Sequence, residues 1–415
     1  MDAEKPRVFF VNRYFHPDES ATSQLISDLL FELAATGFEV HVVCSRQLYG
    51  QPAARLPAHE IVRNVRVHRV LTTRFGRHRL LGRGVDYLTF YAACAVALMR
   101  NLQRGDIAIA MTDPPLISIV AAAAAQLRHA ILVNWLQDVF PEVATELGAS
   151  PLPAFFNDAL RRLRDASLRA ATVNVALGSR MAEFLRGRGL DTRKIRVIAN
   201  WAVAEQSVPK STAESALRAQ LELNQRFVVE YSGNLGRAHE CETILEAGER
   251  LRADPDIVFL MIGAGANMDV LQSRVKERRL PNFRFLPYQS RLTLSDSMAA
   301  ADLHLVNLRP AMEGLIVPSK FYGILAAGRP VIFIGDRDGE LSRIIREARC
   351  GLVVEAGRPD DLVAAIRGLQ RDSTKRSAMA QSARQLLDDR YSAAFAHRRW
   401  HELLTCIRPL SQGVT

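Results

Sequence analysis

Apolar residues recur along this chain in two spacings, and the spacings alternate. Residues 7–12 form a short apolar run that ends at Asn12, Arg13 and Tyr14. A loop with His16, Pro17, Asp18 and Ser20 follows. Leu25, Ile26, Leu29, Leu30 and Leu33 then fall at helical spacing within residues 22–35. Gly37 ends that helix, and residues 39–44 read as the next strand. This β–loop–α–β order opens a parallel α/β sheet. Further short apolar runs lie at 106–111, 131–136, 173–177 and 195–199. The polar stretch 205–215 reads as a linker. Beyond it the pattern repeats, with strands expected at 227–231, 257–262, 283–286, 303–308 and 331–334 and a helix at 240–251. The alternation predicts two domains, residues 1–200 and 201–390.

Parallel sheets bind ligands at the carboxyl ends of their strands, so the chemistry is sought there. In the first half the strand-end loops offer His16, Asp18 and Ser20, then Asp113, then Gln137 and Asp138. The first loop has no GxGxxG and excludes a dinucleotide fingerprint. In the second half, residues 232–239 place Gly233, Gly236 and Arg237 between a strand and a helix, a spacing suited to a phosphate cradle. Gly263 and Gly265 follow the next strand, but position 268 is methionine, so this too fails as a dinucleotide site. Residues 313–330 carry one acid, Glu313, then Gly314, Pro318 and Lys320. Pro318 suits the first turn of a helix. A cation in that turn opposes the helix dipole, and an anion lying between them resolves the conflict. Asp336 and Asp338 form a DxD triplet in a glycine-rich turn. They read as solvated turn residues and not as metal ligands, which leaves Arg237 and Lys320 to neutralise a diphosphate.

Composition narrows the partners. A chain of 415 residues exceeds what one core sustains, and 48% hydrophobic content fills two. The net charge of +10 points to an anionic partner. Five scattered cysteines without a CxxC pair suit a reducing cytosol. The acidic start, which leads straight into a strand, is not that of a signal peptide. Residues 74–104 hold Arg74, Arg77, Arg79, Arg83, Arg100 and Arg104 against the single acid Asp86. Between them, residues 87–99 are uncharged, too short a run to span a bilayer. The apolar part is expected to be a buried core helix. Its basic-aromatic flank, with Phe75, Leu80 and Leu81, suits an anionic membrane surface. No helix-turn-helix, zinc or RNP-type motif supports a nucleic-acid partner. The basic run 161–169 is expected to be a solvated helix face.

Taken together and in this order, Ser232-GNLGR, Val258-FLMIGAG, Asn282-FRFLPY, Ala301-DLHLV and Ala326-AGRPVI resemble the C-terminal half of GT-B family 4 glycosyltransferases. Ile195-RVIANW is similar to that family's interdomain crossover. The segments starting at Asn12 and at Asn134-WLQDVFPE resemble a bacterial subgroup that builds surface polysaccharides, similar to the fucosyl- or N-acetylfucosaminyl transferases of O-antigen and colanic acid assembly.

The resemblance implies two Rossmann-like domains with parallel sheets facing a central cleft, and a terminal helix within 391–415 returning to the first domain. It implies a retaining transfer from a nucleotide-diphospho-sugar, without a cofactor, to a glycan acceptor linked to polyprenyl diphosphate. The protein is then expected to be cytoplasmic, on the inner face of the membrane. Arg237 and Lys320 match the positions that hold the donor diphosphate. The commoner arginine position is Asn234 here, and the usual lysine a few residues on is His239. Glu313 resembles the acid that faces the donor sugar. Gly233, Gly236, Gly263 and Gly314 line the donor, and the backbone at Pro287 and Tyr288 meets the base. The family's second acid, at the ribose, falls near Gly323. Its N-terminal histidine is replaced by Gln137 beside Asp138. His16, Asp18, Ser20, Asp113 and Asp138 are then the acceptor-side groups. Two other readings share the architecture: a nucleotide-sugar epimerase, and a non-catalytic nucleotide-sugar-binding scaffold.

Overall fold

The computed structural model describes residues 7–49, 51, 53–75, 80–148, 153–203 and 210–407. Arg77 and Arg79 of the basic stretch, and residues 205–209 of the expected linker, lie outside these. The chain forms two compact units, Met1–Ala199 with Ala396–Thr415, and Asn200–Phe395.

The first unit is built on eight strands: β1 (Arg7–Val11), β2 (Glu39–Ser45), β3 (His59–Val62), β4 (Val65–Val70), β5 (Ile107–Ala110), β6 (Ile131–Trp135), β7 (Val173–Ala176) and β8 (Ile195–Val197). Their order is β3-β4-β2-β1-β5-β6-β7-β8. Only β3 and β4 pair antiparallel. Central strands such as β5 (IAIA) are buried along their length, which is why they read as unbroken apolar runs. Helices α1 (Ala21–Ala35), α2 (Leu80–Asn101), α3 (Ile117–Arg128), α4 (Glu142–Glu146) and α5 (Ala154–Ala170) connect them. Phe9, Val11 and Leu132 of the sheet pack with Phe90, Cys94 and Leu98 of α2 and Ile117 of α3. The last helix, Ala393–Cys406, buries Trp400 against Trp135 and Phe10. There His397 Nε2 meets Asp28 Oδ2 at 2.9 Å.

Two expectations fail here. α2 is not a buried core helix: only one side packs on the sheet, and Leu81, Val85, Leu88 and Val96 on the other are exposed. The basic run on α5 is not simply solvated. Arg164 and Asp165 are buried, because α5 lies against α3 and the loop after β6, where Arg164 clamps both Glu142 oxygens at 2.7 and 3.1 Å.

The second unit is a six-stranded, wholly parallel sheet in the order β11-β10-β9-β12-β13-β14. The strands are β9 (Phe227–Asn234), β10 (Ile257–Ala264), β11 (Phe283–Leu286), β12 (Leu303–Asn307), β13 (Val331–Gly335) and β14 (Gly351–Glu355). β9 and β10 stay paired as far as Asn234 and Ala264. Their glycine ends therefore lie side by side at the carboxyl edge.

Candidate active site

The carboxyl edge of the second sheet gathers most of the residues that the sequence singles out. Gly233 is next to last in β9 with φ +125°, and Gly263 is next to last in β10 with φ +126°. The two backbones touch so closely that a Cβ on Gly263 would collide with the Gly233 carbonyl. Only glycine meets both demands, left-handed φ and contact. Gly265 is crowded in the same way by the Asn234 side chain and the Leu235 backbone. Asn234 and Arg237 are exposed on the turn that follows β9. Pro287 and Tyr288 leave β11 at the same edge, where Gln289 Nε2 donates to the Pro287 carbonyl at 3.0 Å.

Lys320 opens the helix Lys320–Ala326, downstream of β12. Its ammonium lies 3.8 Å from the centroid of the Tyr231 ring and donates to the Tyr231 hydroxyl. That hydroxyl donates in turn to the Asn234 carbonyl at 3.0 Å. A Cβ on Gly233 would stand 3.6 Å from Lys320 Cε, so the glycine turn and the lysine are neighbours. Burial pushes the Lys320 pKa well below the ordinary lysine value. A cation held among neutral groups gains most from an anion.

His239, at the position of a usual family lysine, supplies no charge. Its Nδ1 donates to the Asn307 carbonyl at 2.7 Å. Burial, with the Lys320 charge second, lowers its pKa to about 3. Asn267 Nδ2 ties its backbone carbonyl at 2.7 Å.

Glu313 follows β12 on a short 3-10 turn, beside the buried Gly314 with φ +74°. Glu313 Oε2 accepts the backbone N–H of Glu340 at 3.1 Å, at the start of the helix Glu340–Ala348. Gly339 makes room for it, since a Cβ there would run into the Glu313 carboxylate. Asp336 and Asp338 are engaged locally. Asp336 Oδ1 takes the Asp338 N–H at 2.7 Å, and Asp338 pairs with Arg346 at 3.4 Å.

The first unit has its own cluster at the ends of β1, β5 and β6. Arg13, buried after β1, donates its N–H to the Asp113 carbonyl at 2.6 Å. Asp138 follows β6 in a small recess lined by Thr112, Leu116, Phe140 and Arg164. Burial raises its pKa to about 6, against a lowering hydrogen bond with Thr112, and the Asp113 charge adds to the rise. Asp18 is spent on the loop itself. Its carboxylate takes the Ser20 N–H at 2.8 Å and the Tyr49 N–H, so it is a loop anchor and Ser20 is its partner. His16 is exposed, and its carbonyl receives Arg69 Nη2 at 2.7 Å.

Sequence reasoning missed Tyr231, Gly339 and Arg13. Each is defined by a partner remote in the chain, and no local pattern marks it.

Each of these parallel-sheet units is Rossmann-like, as in the GT-B fold. The chain superimposes with a TM-score of 0.77 on sucrose-phosphate synthase from Thermosynechococcus elongatus, 16% identical, covering 97% of this chain and 99% of that one. HepE of Anabaena, solved with UDP and glucose, gives 0.73 at 16% identity, with 97% and 100% covered.

Residues 22–201 match the family model "Glycosyl transferase 4-like domain", and residues 214–386 match "Glycosyl transferases group 1". Each compact unit therefore matches a glycosyltransferase domain model over most of its length. It is 29% identical to the "Probable glycosyltransferase WbjE" of Pseudomonas aeruginosa over 81% of this chain and 83% of that one. It is also 30% identical to WcaI of Escherichia coli, a glycosyl transferase named for colanic acid biosynthesis, over 43% and 45% of the two chains.

Proposed function

We propose that the protein is a retaining hexosyltransferase of family 4. It moves a sugar from a nucleotide-diphospho-sugar to a glycan linked to polyprenyl diphosphate, in the assembly of a bacterial surface polysaccharide such as O-antigen. The observation that carries this reading is Lys320, a desolvated ammonium set on Tyr231 beside the Gly233 turn. The names of WcaI and WbjE, and the UDP and glucose bound to HepE, support the donor and pathway class.

In this reading the diphosphate lies over Gly233, Asn234, Gly236 and Gly263, with Lys320 and Arg237 as its cations. Negative charge grows on the diphosphate as the glycosidic bond breaks, so a preorganised cation binds the transition state better than the ground state. Glu313 and Gly314 meet the sugar, and Pro287 and Tyr288 meet the base. A leaving phosphate oxygen takes the acceptor proton. Asp138 and Asp113 orient the acceptor, with His16 and Ser20 nearby on the first loop. The protein works in the cytoplasm at the inner face of the membrane, drawn there by Arg74, Arg83, Arg100 and Arg104.

A panel of nucleotide sugars, fucose and N-acetylfucosamine types included, tests it with and without a lipid-diphosphate glycan. Nucleotide release that depends on the acceptor, with the anomeric configuration kept, is the expected result. Sugar inverted or set free without acceptor makes the protein an epimerase. Binding without turnover of any donor makes it a scaffold.

A further inference from the structure

The outward side of α2 is apolar. Leu81, Val85, Leu88, Ala92 and Val96 follow one another at three- or four-residue steps, and all are exposed, Leu81 at 88% and Leu88 at 65%. The opposite side packs Phe90, Cys94 and Leu98 into the core. The helix is thus apolar on both faces, and the exposed row runs for about 22 Å at 1.5 Å per residue.

Asp86 is the one charged residue between Arg83 and Arg100, and it points inward. It accepts from Thr73 Oγ1 at 2.7 Å and from the Phe75 N–H at 3.0 Å, and it pairs with Arg13 at 3.8 Å. Those bonds pin the segment before the helix. Gly82 lets that segment lie close, since a Cβ there would stand 2.7 Å from Phe75 Cβ. Phe75, itself 65% exposed, is thereby fixed next to Leu81 at the head of the row. Arg74 stands at the same end, and Arg100 and Arg104 at the far end. No described helix is long and apolar enough to cross a membrane.

We propose that α2 lies in the plane of an anionic bilayer. Phe75, Leu81, Val85, Leu88 and Val96 sink below the headgroups, and Arg74 and Arg100 stay at phosphate level. The inference rests on the membrane-surface part of the reading above and alters its physics. Surface arginines alone give binding that salt removes, whereas an inserted apolar row holds in salt. Water-exposed apolar rows of this length are rare in soluble monomers. Among the described residues of 74–104 the one acid, Asp86, is buried, so the charge shown beside the row is cationic and complements lipid phosphates. It suits a second copy of the chain poorly, because antiparallel pairing of two α2 rows brings Arg74 of one copy towards Arg100 of the other.

The test is flotation of the full chain on phosphatidylcholine vesicles, with and without phosphatidylglycerol, at low salt and at about 1 M salt, where the Debye length is about 3 Å. Wild type is expected to stay on anionic vesicles at high salt. A double variant, Leu81→Asp with Leu88→Asp, is expected to lose at least about tenfold in partitioning. Its melting curve, and its stabilisation by nucleotide diphosphate, should match wild type because both sites lie outside the donor site. Equal flotation of the two proteins overturns the proposal. Complete release of wild type by salt overturns insertion and leaves electrostatic docking in place. A wild-type dimer in light scattering that the double variant disperses assigns the row to a second copy and overturns the bilayer. Failure to turn over any nucleotide sugar refutes the transferase reading and leaves these outcomes untouched.

Discussion

Lys320 and Tyr231 stand 89 positions apart in the chain, and the ammonium of one lies 3.8 Å from the ring centroid of the other. The aromatic face favours the cation, but desolvation outweighs it and lowers the lysine pKa. If Lys320 binds the diphosphate as proposed, function and stability oppose each other at this position. A lysine whose folded pKa is depressed destabilises the fold most at low pH, and the cost disappears as pH rises towards its unfolded value near 10.5. Lys320→Met is expected to raise the melting temperature of the ligand-free protein and to abolish stabilisation by nucleotide diphosphate. Lys320→Ala should lower turnover about 100–1000-fold, the loss of one transition-state charge contact. Arg237→Ala is the companion variant, and near-normal turnover in either marks that residue as a bystander. Differential scanning fluorimetry and steady-state kinetics check both halves.

Glu313 serves the fold, and in the proposed function it serves the site as well; substitutions separate the two roles. Glu313→Gln keeps an oxygen for the Glu340 N–H, so stability should hold within about 0.5 kcal/mol while turnover falls. Glu313→Ala removes the capping group as well and should cost about 0.5–2 kcal/mol. Gly339→Ala pushes a methyl against the carboxylate and should cost about 1–3 kcal/mol, with lower turnover despite an untouched Glu313. Urea unfolding beside kinetics decides. Unchanged turnover in Glu313→Gln confines the residue to a structural role.

Asp138 carries a pH signature. Its folded pKa of about 6 exceeds the unfolded value of 3.8, so the folded state holds the proton more tightly. Stability is therefore lost as pH rises from about 4 to about 6, by roughly 3 kcal/mol in all. Asp138→Asn removes the ionisation and keeps the shape. It should raise the melting point at pH above about 7 and flatten its pH dependence. If Asp138 orients the acceptor, the same variant loses acceptor turnover while donor affinity stays. A melting point that falls at all pH values would show that the carboxylate is stabilising.

Activity is expected to persist in EDTA. Asp336 and Asp338 are committed to their own turn and to Arg346, and in the proposed function Lys320 and Arg237 are the cations at the diphosphate. Complete loss of turnover in chelator, recovered by magnesium or manganese, sinks the metal-free reading.

The sequence by itself determined the class of fold. Apolar runs separated by helical spacings define two parallel sheets whatever the neighbours are, because burial on both faces demands continuous runs such as IAIA in β5. It also marked the strand-end loops, and with them Gly233, Glu313 and Lys320, because glycine and charge at strand ends are local signals. Tertiary structure alone decided what those residues touch. Tyr231 looks like any core aromatic until the start of a later helix brings Lys320 onto it. Gly339 looks like a turn glycine until Glu313, from the loop after another strand, fills the space beside it. α2 and α5 show the same limit in opposite directions. The uncharged run of α2 reads as core and proves half exposed, while the arginine-rich run of α5 reads as surface and holds a buried Arg164. Periodicity fixes which residues share a face. What covers that face depends on elements packed from far along the chain, and no local spacing encodes them.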